Sequence, residues 1–234
     1  MWIEPEKSNS NQSIFKAHIK VGQNFIGENY PFLNSETEKF FYTDDQKKTE
    51  LTQRDGDYPA INQNLQSQDS GKIYYVSKPE KLIYETKEKF FDFIDEYDLP
   101  LSKKLKKIPT ETYIRYCKTL IQNKRKEFKS DKKYLKFEII NLNNPIKYNE
   151  TIIKVLFDSH DFKNRKIKVF FKNENTNSVK DYTTNSLGEA KIDTSQKGLY
   201  LISAVELKNL NYIKKTYFNT DYISYWASFT FRKY

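Results

Sequence analysis

Alternation of apolar and polar residues with a period of two is the feature that most restricts this chain. Successive side chains of an extended strand point to opposite faces, so the pattern calls for half-buried β-strands. In "SIFKAHIKVGQNF", Phe15, Ala17, Ile19 and Val21 share one face, Lys16, His18 and Lys20 share the other, and Gly22 ends the run. The C-terminal "DYISYWASFTFRKY" repeats the pattern, with Ile223, Tyr225, Ala227, Phe229 and Phe231 on one side. Trp226 then falls on the opposite face, where so large an indole calls for cover from elsewhere in the fold. From residue 134 onward, "YLKFEIINL", "TIIKVLFD", "RKIKVFFKN", "VKDYTTNS", "EAKIDTS" and "GLYLISAVEL" lead up to that tail. Short strands with turn signals every 8–12 residues or so predict an antiparallel β-sandwich over 134–234.

Ahead of it the pattern is mixed. "EKFFYTDD" and "GKIYYVSK" read as strands, and the polar 44–70 span between them reads as a long loop with little core content. Thr86 can cap "KEKFFDFIDEY", whose Phe90, Phe93, Ile94 and Tyr97 recur at helical spacing, and Pro100 closes the segment. Pro109 and Thr110 then open "ETYIRYCKTLIQ", where Tyr113, Ile114, Cys117, Leu120 and Ile121 form a second helical stripe. The expected organisation is a domain at 1–130 with strands and two helical segments, about 86–98 and 110–122. A polar boundary at 123–133 separates it from the second domain, 134–234.

The chain has 234 residues, and aromatic residues at 16% offset a modest apolar content of 37%. The single cysteine, Cys117, excludes an internal disulfide and a cysteine-built zinc site, and its place in an apolar stripe reads as a small buried hydrophobe. No run approaches the ~18 apolar residues of a membrane helix, so no transmembrane segment is expected. The net charge of +9 is concentrated between Leu99 and Lys136, where thirteen Lys/Arg face three Asp/Glu, a local +10 that leaves −1 for the remainder. The clusters "KKLKK" (103–107), "KRK" (124–126) and "KSDKK" (129–133) lack the interleaved aromatics of a nucleic-acid surface, so they read as a solvated connector and no nucleic-acid partner is expected.

Candidate chemistry is sparse. "FDSHDFKN" places Asp158, His160 and Asp161 within one loop, where nitrogen and oxygen donors suit a divalent metal; the same residues also make ordinary exposed turns. His18 stands between lysines on a strand face, which opposes a bound cation. No GxSxG elbow and no glycine-rich phosphate loop occurs, and the expectation is a protein without enzymatic activity. Trp2 and Trp226, the only two tryptophans, are the candidates for a ligand platform or for the contact between domains.

Several segments carry a resemblance. They are "WIEPEK" at the start, the turn "IKVGQNFIGENYP", the stretches "KEKFFDFIDEYDL" and "YIRYCKTLI", the hairpin "TTNSLGEAKIDTSQKGLYLISAVEL" and the closing "DYISYWASFTF". Together they resemble a bacterial envelope family of unknown function, often described as the periplasmic component of cobalt- or nickel-type ABC transport systems (NikM-like). The resemblance implies two β-sandwich domains, the N-terminal one with helical insertions and the C-terminal one Ig-like. It also implies an exported protein, periplasmic or elsewhere in the cell envelope, whose family begins just after a cleaved leader. The implied role is a ligand- or metal-binding component of nickel or cobalt uptake, with an envelope transport or surface-protein partner. Nickel or cobalt is the divalent ion this implies. The competing expectation is a surface interaction or adhesion module that binds protein or glycan.

Overall fold

The computed structural model describes residues 1–7, 14–44, 47–65, 70–101, 104–122 and 132–234. The expected boundary falls largely on 123–131, so it and the "KRK" cluster lie outside the described residues. In chain order the elements of the first half are β1 (Trp2–Pro5), β2 (Ile14–Gln23), β3 (Ile26–Tyr30), β4 (Thr37–Thr43), β5 (Lys48–Glu50), β6 (Ile61–Asn64), β7 (Ser70–Ser77), β8 (Glu80–Ile83), α1 (Lys87–Glu96) and β9 (Thr110–Gln122). The second half contains β10 (Phe137–Asn141), β11 (Glu150–Phe157), β12 (His160–Asp161), β13 (Lys166–Lys172), β14 (Asn177–Thr183), β15 (Glu189–Asp193), β16 (Gly198–Asn209), α2 (Tyr212–Phe218) and β17 (Tyr222–Lys233). The protein is mainly β.

A nine-stranded sheet is the centre of the molecule, in the order β14-β13-β16-β17-β9-β7-β4-β5, with β8 pairing beside β7 on the long strand β9. The parallel pairing of β17 with β9 makes this sheet continuous across both halves of the chain. The expected division near 130–134 therefore does not separate two hydrogen-bonded units: two packed layer pairs share one sheet. On one face lies the four-stranded sheet built from β10, β11, β12 and β15, whose Phe137, Ile139, Ile153 and Val155 meet Val169, Ile202, Phe229 and Phe231. Against the other face lies the sheet of β1, β2, β3 and β6, where Ile3, Ala17, Ile19 and Ile61 meet Phe40, Ile73, Tyr75 and Cys117. Helix α1 covers another part of that second face, burying Phe90, Phe93 and Ile94 against Val205, Leu207 and Tyr222.

Two expectations are corrected. The segment 110–122 is strand β9, not a helix. As a central strand it is covered on both faces, with Tyr116 and Leu120 in one core and Cys117 in the other, so it shows no clean alternation. Its Thr, Tyr and Ile content also suits a pleated surface. The 44–70 span carries β5 and β6, and its Ala60, Ile61 and Leu65 are buried in the second core rather than lying in a loop with little core content. Segment Lys87–Glu96 is helical, and the Thr86 hydroxyl caps it by accepting from the Lys89 N–H at 3.3 Å.

Candidate functional site

Helix α1 and the β1–β2–β3 sheet cover the same face of the large sheet but do not meet over all of it. The gap is a cavity of about 840 Å³. Its floor follows from strand register. Ser203 of β16 lies opposite Ser228 of β17, which lies opposite Cys117 of β9. The adjoining row is Val205, Trp226 and Arg115, and the next is Leu207, Ser224 and Tyr113. A row of small side chains beside a row of large ones leaves the depression.

Trp226 forms one wall. Its ring stacks on Phe93 with centroids 5.4 Å apart and meets Tyr97 edge-on at 5.3 Å, so α1 covers the indole from one side while the cavity leaves the other accessible. Trp2 forms the opposite wall. It is buried with Phe25, Phe170, Leu199 and Leu201, and its Nε1 donates to Glu4 at 3.0 Å. The structure thus brings both tryptophans, from opposite ends of the chain, to one cavity. The "VGQNF" segment supplies the adjoining wall. Asn24 and Phe25 both have positive φ, 51° and 62°, making the two-residue turn that matches the twist of a hairpin. This is an uncommon conformation for a phenylalanine. The Phe25 ring is held there by Trp2 at 5.5 Å and Phe170 at 6.4 Å. Trp2 can approach the hairpin because residue 27 is glycine: an added Cβ would stand 2.6 Å from the Val21 carbonyl oxygen and 2.7 Å from the indole.

The polar part of the wall is a hydrogen-bonded chain. Trp226 Nε1 donates to Ser224 Oγ at 2.9 Å, Ser224 donates to Glu111, and Tyr84 donates to the other Glu111 oxygen at 2.5 Å. Glu111 is buried, and burial pushes its carboxyl above the usual glutamate range despite these donors and nearby Arg115. Burial also raises the Tyr84 phenol, with Glu111 adding to the effect. Beside them Tyr113 donates to Glu80 at 2.6 Å, and burial, then that bond, push its phenol up to about 12. Arg115 is fixed by Glu80 at 3.1 Å and lies 4.2 Å over the Tyr113 ring. Burial raises the Cys117 thiol, which keeps it protonated and a poor nucleophile. Lys89, Glu85, Asp92 and Glu96 contribute a charged border along α1.

None of Glu111, Tyr84, Tyr113, Arg115 or Ser203 stands out in the sequence. The one available signal is an acidic residue inside the aromatic, β-branched run "TETYIRY", since a buried carboxylate needs partners.

The expected metal donors lie elsewhere and are not gathered. Asp158 and Ser159, with φ of 51° and 68°, form the exposed two-residue turn between β11 and β12. His160 Nδ1 donates to the Asp158 carbonyl oxygen at 2.9 Å. Asp161, the next residue along the strand, projects to the other face and pairs with Lys154 at 2.8 Å, a hydrogen bond that holds its carboxyl below the usual range. Among the described residues no group of three His, Cys, Asp or Glu is placed to hold a metal ion. No described helix is long and apolar enough to cross a membrane.

A protein family described as "Domain of unknown function (DUF4198)" matches residues 1–207. No curated protein and no solved structure matches the chain.

Proposed function

The chain belongs to the DUF4198 family, a domain family of unknown function, and on that premise we propose that it is a non-enzymatic cell-envelope protein that holds an organic ligand in the Trp226 cavity. The observation that carries this reading is the cavity itself. Its volume of about 840 Å³ suits a small molecule, and its walls combine the charged border along α1 with aromatic faces and an inner set of polar groups. Those polar groups hold one another: Glu111 is engaged by Tyr84 and Ser224, and Arg115 by Glu80. Such mutual bonding fixes a wall rather than activating a base or nucleophile. The envelope location, periplasmic or exported, is supported by the resemblance of the "VGQNFIGE" turn and closing strand, both of which build the cavity. There the protein serves as the ligand-holding component of an uptake system. The aromatic walls favour an organic molecule over a nickel or cobalt ion, for which the described residues gather no donor set.

Native mass spectrometry of the purified protein, followed by a thermal-shift screen of amino acids, peptides, sugars, nickel and cobalt, tests this. An organic ligand should bind, quench Trp226 fluorescence, and be lost on Ser203→Phe, which fills the floor. No organic hit, or one indifferent to Ser203→Phe, would sink the proposal; a shift with nickel or cobalt alone would restore the metal reading.

A further inference from the structure

Large exposed apolar side chains gather at one end of the central sheet. Ile213 and Tyr217 are 77% and 82% exposed on α2, which joins β16 to β17, and Phe218 packs edge-on against Tyr217 at 5.0 Å. Ile83 is 73% exposed, and Ile108 is also exposed. All lie around one junction: Ile83 pairs with Thr110, and Asp221 and Thr110 exchange hydrogen bonds through the Asp221 N–H at 3.0 Å and the Asp221 carboxylate at 3.1 Å. The surroundings are basic. Lys107 and Lys215 reach the Asp221 carboxylate at 3.2 and 3.9 Å, Lys208 pairs with Glu206, and Lys89 pairs with Glu85. Lys81 and Lys106 are exposed beyond these pairs and leave this end with a net positive charge.

We propose that this end docks on the surface of an anionic lipid membrane. The apolar side chains stand out from a short helix and the adjoining strand ends, so they can enter the boundary between headgroups and acyl chains while the lysines meet lipid phosphates. Long lysine stems accommodate that division between apolar depth and polar surface. Concentration of exposed apolar side chains within a basic surround at one end distinguishes this patch from isolated exposed residues such as Ile26 or Leu187. Leu82 and Ile83 also line the cavity, so docking brings the cavity mouth to the membrane surface.

Flotation of the full chain with vesicles of phosphatidylcholine alone, or mixed with phosphatidylglycerol, at low and high salt tests the proposal. The protein should float with the mixed vesicles, more weakly at high salt. Ile213→Ser with Tyr217→Ser should lower partitioning roughly tenfold or more, since the inserted apolar area is lost. Lys81→Gln with Lys106→Gln should lower it about fivefold per charge on the mixed vesicles only. All four positions are exposed, so an unchanged melting temperature shows that the variants remain folded. The proposal is overturned if the parent chain does not float, if it floats equally with neutral vesicles, or if the apolar variant floats like the parent. The first of these outcomes assigns the patch to a protein partner instead. None of these readings depends on the cavity ligand.

Discussion

Breaking the ion pair between Lys118 and Glu138 should destabilise the whole molecule rather than one half of it. Lys118 lies on β9 and Glu138 on β10, so the pair joins the central sheet to the sheet packed on it, across the junction between the N- and C-terminal halves. Both side chains are 1% exposed, with Nζ and Oε1 3.3 Å apart. The second carboxylate oxygen accepts the N–H groups of Tyr134 at 2.7 Å and Leu135 at 2.8 Å, while the ammonium lies 4.9 Å over the Phe229 ring. Removing one partner of such a pair leaves an uncompensated charge in the core, which costs about 3–5 kcal/mol. For a chain of this size that is a fall in melting temperature of about 10 °C. Lys118→Met and Glu138→Gln should each show it in urea and thermal unfolding. The double substitution should be milder than the sum by about 2 kcal/mol, because the glutamine carbonyl still accepts both N–H groups and no lone charge remains. Single-variant losses below about 1 kcal/mol, or simple additivity, would refute the argument that the pair is a buried, coupled unit. Separate transitions for the two halves would contradict a sheet shared between them.

Glu111 should make stability fall as pH rises. Its folded-state pKa is raised, so the native state holds the proton more tightly than the unfolded chain; stability present below the ordinary glutamate pKa is lost as pH climbs through the raised one. Glu111→Gln should abolish that slope in melting temperatures across pH, and an unchanged slope would assign it to other groups. Trp226→Ala should cost about 3 kcal/mol and loosen α1, seen as faster hydrogen exchange at Phe90–Ile94, because the indole bridges the sheet to Phe93 and Tyr97. Gly27→Ala should cost roughly 1–3 kcal/mol by overpacking against Val21 and Trp2, and a neutral outcome in chemical denaturation would contradict the tight hairpin wall.

Much of the local structure was legible before any tertiary contact was known. The tail shows how: Phe229 and Phe231 face one core, while Trp226 faces α1 on the other side, as a period of two requires. Helix α1 was legible for similar reasons, since the Thr86 cap and the 3.6-residue spacing of Phe90, Phe93 and Ile94 act within a single segment. Strand β9 was not. Cys117 and Leu120 lie in different cores, and a strand covered on both sides has no polar face to mark its period, so helical spacing arose there by coincidence. The candidate metal donors are not gathered among the described residues for a related reason: His160 and Asp161 are neighbours in sequence, but adjacent strand residues project to opposite faces.

The sequence by itself determined which segments are extended, which side of most strands is apolar, and where α1 begins. These properties come from interactions within a few residues. Only the tertiary structure decided that both halves share one sheet, since the parallel pairing of β9 with β17 joins segments about a hundred residues apart in sequence. It alone decided the cavity too. That space exists because α1 and the β1–β3 sheet cover neighbouring parts of one face without meeting over all of it, and no window of the sequence encodes a gap between two elements so far apart along the chain.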